Sequence, residues 1–259
     1  MASVPAETAP SPLAWVRVWD LPTRLFHWSL AALLLLSWFT GEDEGTAALA
    51  HRLSGEAIAG LIVFRVIWGF MGGEHARFSD FLQGPAAAAR HLTHLARGRA
   101  DPALGHNPLG GLSVMVLLLA VSAVVVTGLF SAGDEGPGGP LAGLFGWELS
   151  ELHEIAFRVL QALVVLHLVG VAVTSFASRE NLIGAMVSGL KRRRPNAQAS
   201  HARRASAGAL LFALAVGAAA SGFLTSLPPG PGRPESHVGD ERRTSAGQAH
   251  VPVEERSSP

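Results

Sequence analysis

The sequence predicts an all-α integral membrane protein with five helical crossings, and three observations predict it. Hydrophobic residues make up 49% of the 259-residue chain and charged residues only 15%, against roughly 25% charged in an ordinary soluble domain. Mean hydropathy is positive, at +0.32. Several stretches are almost purely apolar over about 17 to 22 residues, which is what a helix needs to cross about 30 Å of hydrocarbon at about 1.5 Å per residue. The chain has no cysteine, which excludes disulfides, thiolate-bound iron–sulfur clusters and covalent attachment through Cys-x-x-Cys-His. Any metal must therefore use histidine. Twenty basic residues balance twenty acidic ones, so the total charge gives no argument for nucleic acid as a partner.

Residues 1–14 lack a basic start, an apolar run and a small-residue cleavage site, so they are expected to be a disordered segment that stays inside. The first span runs from about Leu25 to Gly41, entered through Trp19-Asp20-Leu21-Pro22, where Asp20 can cap and Pro22 needs no N–H. The second covers about Ala47 to Phe70 and contains Glu56 and Arg65. Charges at that depth face a bundle interior or a bound group. The third, Leu109 to Phe130, has no charge at all. The fourth, Leu149 to Phe176, holds His153, Arg158 and His167, and a fifth follows from Ala207 to Leu227. Residues 191–206 read as a basic cytoplasmic linker. The Pro- and Gly-containing tail, residues 228–259, shows almost no apolar periodicity and is expected to be disordered.

Loop charge gives the orientation. Thirteen of the twenty basic residues lie before the first span, between the second and third, and between the fourth and fifth. The opposite loops carry Glu42, Asp43, Glu44, Asp134, Glu135 and Glu148, with Arg52 their one basic residue. By the positive-inside rule the N-terminus is cytoplasmic and the tail external.

Of eleven histidines, seven need no functional reading. His75, His91, His94 and His106 fall in or beside a basic loop, His201 lies among arginines, and His237 and His250 are in the tail. His106 is the closest of these to a span. His27, His51, His153 and His167 sit inside spans, where an unpartnered imidazole is costly. His153 and His167 are 14 residues apart, about 21 Å of rise and within about 40° of four full turns, so they share a helix face near opposite membrane surfaces. With the topology above, His51 and His153 share the external depth and His27 and His167 the cytoplasmic depth. Two histidine pairs without thiolate or carboxylate suit two six-coordinate haems b; a zinc site would need a third or fourth ligand at one depth.

Arg65 stands 14 residues after His51 and so reaches the cytoplasmic depth on the same face, where a haem propionate could accept its hydrogen bonds. Glu56 and Arg158 each follow an external histidine by five residues and are expected to pair with each other. The competing reading for all three charges is a structural ion pair or a snorkelling arginine. Gly55, Gly60, Gly128 and Gly170 would let a flat macrocycle approach backbone. Ala209, Ala213, Gly217 and Ser221 form a small-residue stripe on the fifth span, suited to packing on the bundle or to a homodimer.

Val18-Trp19-Asp20-Leu21-Pro22-Thr23-Arg24-Leu25-Phe26-His27-Trp28, His51-Arg52-Leu53-Ser54-Gly55, Phe64-Arg65-Val66-Ile67-Trp68-Gly69-Phe70 and Ala76-Arg77-Phe78 resemble the bacterial cytochrome b-561 family, which includes the b-type cytochrome subunits of nickel–iron hydrogenases. His106-Asn107-Pro108-Leu109-Gly110 and Glu151-Leu152-His153-Glu154 continue the resemblance, which covers about residues 15–190. It implies a four-helix transmembrane bundle holding two haems b in the bacterial inner membrane and exchanging electrons with quinone. It also implies that His27, His51, His153 and His167 are the ligands. The fifth helix departs from that four-helix core.

The functional expectation is a transmembrane electron carrier between quinone and a protein redox partner, hydrogenase-like or cytochrome c-like. Its rivals are a proton or ion transporter relaying through the intramembrane His, Glu56 and Arg65, and a haem-free anchor of a soluble complex. Only the first accounts for matched histidine depths.

Overall fold

The computed structural model describes residues 14–41, 45–97, 103–133, 138–144, 148–193 and 202–231. The expected disorder of 1–13 and 232–259 lies outside the described residues, as do Glu42, Asp43, Glu44, Asp134, Glu135, Arg99, Arg194 and His201. In chain order the elements are β1 (Ala14–Arg17), α1 (Leu21–Thr40), α2 (Thr46–Met71), a 3-10 turn (Glu74–Ala76), α3 (Phe78–Phe81), α4 (Pro85–Ala96), α5 (Pro108–Leu129), α6 (Ser150–Ser178), α7 (Leu182–Ser188), β2 (Leu190–Arg193) and α8 (Ala207–Ser226).

The five long helices lie where hydropathy puts the spans, and side chains cap the starts of three of them. Asp20 Oδ1 accepts from the Thr23 amide at 2.8 Å, with Pro22 in the first turn. Asn107 and Ser206 cap α5 and α8 in the same way. By length and composition α2, α5, α6 and α8 can each cross a bilayer. At 20 residues α1 has the length, but Arg24, His27 and two tryptophans dilute its apolar character, and it lies along α2.

Chain ends sort into two groups. At one end Val18 N donates to Gly189 O, Ala202 N to Arg17 O, and Lys191 Nζ to Ala103 O. At the other, Arg52 Nη2 donates to Leu227 O and Gly138 bridges Gly230. We call the first, rich in arginine, the basic end. One feature there departs from an all-helical chain: β1 and β2 form an antiparallel ribbon, with the Arg192 guanidinium 5.5 Å over the Trp15 ring. Residues 191–193 are thus part of a strand and not of a free linker, because the segment after α7 returns to the start of the chain.

The small-residue stripe of α8 packs on α2. Ala213 is fully buried, and Ala209 and Gly217 are also buried against this interface. A Cβ on Gly60 would lie 2.7 Å from Gly217 O, and one on Gly217 would lie 2.8 Å from Gly60 O. Two glycines facing each other allow the backbones to touch, which is how helices gain packing energy in lipid. The stripe is occupied within the chain, which removes it as a dimer surface.

This crossing generates a prediction. Gly217→Leu should cost about 1–3 kcal/mol through overpacking and lower the melting temperature in detergent. Gly222→Leu, where a Cβ meets nothing within 4 Å, should not. Equal effects would show that α8 does not rely on the contact.

Candidate functional site

His51 and His153 face one another near the end away from the basic rim, with ring centroids 6.2 Å apart and planes at 90°. Imidazole nitrogens bind metals at about 2 Å, so two imidazoles on opposite sides of one ion have ring centres about 6 Å apart. Each ring is held through Nδ1: His51 by Ser37 O and His153 by Val124 O, both at 2.9 Å. A ring whose Nδ1–H donates to a carbonyl presents Nε2 as its lone pair, the arrangement that orients metal-ligating histidines.

Both carbonyls are available for physical reasons. Ser37 lies in the last turn of α1, where carbonyls lack an intrahelical partner. Val124 is four residues before Gly128, and a Cβ there would come 2.9 Å from His153 Cε1. Its missing side chain opens the flank of α5 to the ring. Ser54 Oγ lies 2.6 Å from Ser37 Oγ and donates to His51 O at 2.8 Å. Thr127 Oγ1 lies 3.3 Å from His153 Nδ1.

Toward the basic end His27 and His167 come within electrostatic reach of each other. His27 Nδ1 is buried without a hydrogen-bond partner, and Ser113 Oγ lies 3.5 Å from His167 Nδ1, at the outer limit of a bond. Between the two levels an apolar layer centres on Ile58, Val121 and Leu160, joined by Leu33, Ile62 and Val164. Leu160 is seven residues from each histidine of α6 and occupies the middle of that helix. Among the described residues no three His, Cys, Asp or Glu side chains gather around a common point.

The expected Glu56–Arg158 pair does not form. Glu56 bonds Arg52 at 2.8 Å, and Arg158 bonds Glu154 at 3.0 Å on an exposed face. Depth brought Glu56 and Arg158 together in the sequence reading, but five residues on a helix turn a side chain about 140° away from the histidine face. Glu56 therefore turns toward α8 and Arg158 outward. Of the four glycines, Gly128 lies against His153, Gly60 is taken by α8, and a Cβ on Gly55 or Gly170 would meet nothing within 4 Å.

Arg65 is 3% exposed. Its Nη1 donates to Ala76 O at 3.2 Å, and its guanidinium lies 5.9 Å from the Phe26 ring centre and 5.1 Å from that of Phe78. No carboxylate bonds it among the described residues, although Asp20 is within electrostatic reach. Nearby His106 is packed between Trp19 and Phe81, each ring centroid 4.6 Å away, with its Nδ1 buried and unpartnered. Burial, followed by the charges of Arg65, Lys191 and His75, lowers the His106 pKa to about 3.

Ser37, Ser54, Ser113, Thr127 and Val124 O escaped the sequence reading. Hydroxyls inside apolar spans were the available signal, but most such hydroxyls bond their own helix, as Ser122 does with Leu118 O.

The sequence profile described as prokaryotic cytochrome b561 matches residues 18–189. Among curated proteins, the chain is 30% identical over 212 residues to a "Probable Ni/Fe-hydrogenase B-type cytochrome subunit" of Azotobacter chroococcum mcd 1, covering 67% of this chain and 87% of the relative. A protein of the same description from Rhizobium leguminosarum bv. viciae is 26% identical over 211 residues, again 67% of this chain and 87% of the relative. No solved structure matches.

His106 supplies a pH prediction. Its native pKa of about 3 lies below the ordinary value of about 6.5, so the unfolded chain takes up a proton that the native state refuses. Stability is then full above about pH 6.5 and falls as pH drops toward 3. His106→Leu should flatten the fall in melting temperature between pH 7 and 5. An unchanged slope would show that this imidazole is not held neutral.

Proposed function

This chain belongs to the prokaryotic cytochrome b561 family and is a bacterial membrane b-type cytochrome of electron transfer; from that premise we propose that it holds two haems b and links the quinone pool to a protein redox partner. The observation that carries the reading is the His51–His153 pair, with ring centres 6.2 Å apart and each Nδ1 already bonded to a carbonyl. His51 and His153 would hold one haem and His27 and His167 the other, in an inner membrane with the basic end toward the cytoplasm. Bound haem supplies a one-electron couple at each level, tuned by ligand, hydrogen bonds and burial.

The protein's own part is ligation, spacing and dielectric. Ser37 O and Val124 O fix ring orientation and raise the basicity of the opposite nitrogens. The Ile58–Val121–Leu160 layer keeps water out of the space between the levels. Arg65 would give a propionate of the basic-end haem a charge-assisted bond, which suits a buried guanidinium bonded only to a carbonyl among the described residues. The names of the relatives favour a hydrogenase as the partner, with a cytochrome c-like protein as the alternative. A transporter relay has less support, because Glu56 is engaged by Arg52.

Extraction of the purified protein is expected to release two non-covalent haems per chain, and His153→Ala to abolish one while the other keeps its reduced spectrum. One haem or none in the unaltered protein contradicts the two-site reading, and loss of the same component in His153→Ala and His27→Ala contradicts the pairing.

Arg65→Met removes a positive charge near the basic-end haem, so its propionate would act on the iron uncompensated and favour the oxidised form. Redox titration should show one component shifted downward, the one missing in His167→Ala. If both potentials stay in place with both haems bound, Arg65 only joins α2 to the loop at Ala76.

A further inference from the structure

The residue after His51 is held at two points. Arg52 Nε donates to Glu56 Oε1 at 2.8 Å and its Nη2 to Leu227 O at 2.9 Å. Glu56 is only 2% exposed and its second carboxylate oxygen has no partner, so the group is committed to Arg52. Leu227 caps α8, and a cation beside the carbonyls of a helix C-terminus gains from the helix dipole. One polar bond, from an arginine that Glu56 orients within α2, thus ties the start of α2 to the end of α8.

A second path leads from the same place to His153. Gly230 exchanges backbone hydrogen bonds with Gly138. The next residue, Gly139, lies so close to α5 that a Cβ would come 2.2 Å from Gly128 O, and Gly128 borders the His153 ring. The end of α8 and the residues just after it are therefore tied to the neighbours of both rings, to Arg52 beside His51 and, through Gly138 and Gly139, to the Gly128 that borders His153.

We propose that the C-terminal end of α8 clamps the His51–His153 geometry, with Arg52 as its positioning residue. The inference rests on the haem reading of that pair. It gives the fifth helix a task beyond anchoring: α8 sets the mutual angle of two ligand rings carried by α2 and α6, neither of which it supplies.

The test uses the full-length, haem-loaded protein and electron paramagnetic resonance of the oxidised form, whose g-values for a bis-imidazole iron depend on the angle between the ring planes. Arg52→Gln removes the clamp, and Gly217→Leu wedges α8 away from α2 without altering any charge. Both should change the g-values of the component missing in His153→Ala and leave the other component as it was. Unchanged g-values in both variants, with both haems bound, overturn the clamp. So does a midpoint shift in Arg52→Gln with its g-values intact, which would be a charge effect alone. Absence of any bis-imidazole signal from the unaltered protein would instead remove the haem reading, and this inference with it.

Discussion

An imidazole inside hydrocarbon needs a partner for each nitrogen, because no water is there to serve. His51 and His153 meet this demand on one side with backbone carbonyls and leave the other side for a ligand bond. Much of the far end of the bundle follows from it. The Ser37 carbonyl is free because α1 stops at Thr40, Gly128 has no side chain so that the His153 ring can reach Val124 O, and Ser54 ties the backbone of His51 back to Ser37.

The same scarcity of partners governs the charges. Arg52 bonds both Glu56 and Leu227 O where α2 meets α8, and Arg65 finds a carbonyl and two aromatic faces toward the basic end. Between these polar levels lies a layer with no polar side chain at its centre, built on Ile58, Val121 and Leu160. Polar, apolar and polar levels are thus stacked along one bundle.

The family profile stops at residue 189, before β2 and α8. Both later elements nevertheless pack on the matched region: β2 pairs with β1, and α8 buries Ala209, Ala213 and Gly217 against Phe64 and its neighbours on α2. The extension is thus integral to the bundle at both ends.

The positions of the long helices and the cap at Asp20 were legible in the sequence, because they depend on hydropathy and local capping. Depth alone did not locate partners. Glu56 and Arg158 share a level but point away from each other, because partnership also needs rotation about the helix axis and a neighbour on that side. Which helix covers the α8 stripe, which carbonyls hold His51 and His153, and the return of residues 190–193 to β1 were decided by the tertiary structure. These are contacts between residues far apart in the chain, and no local period of the sequence encodes them.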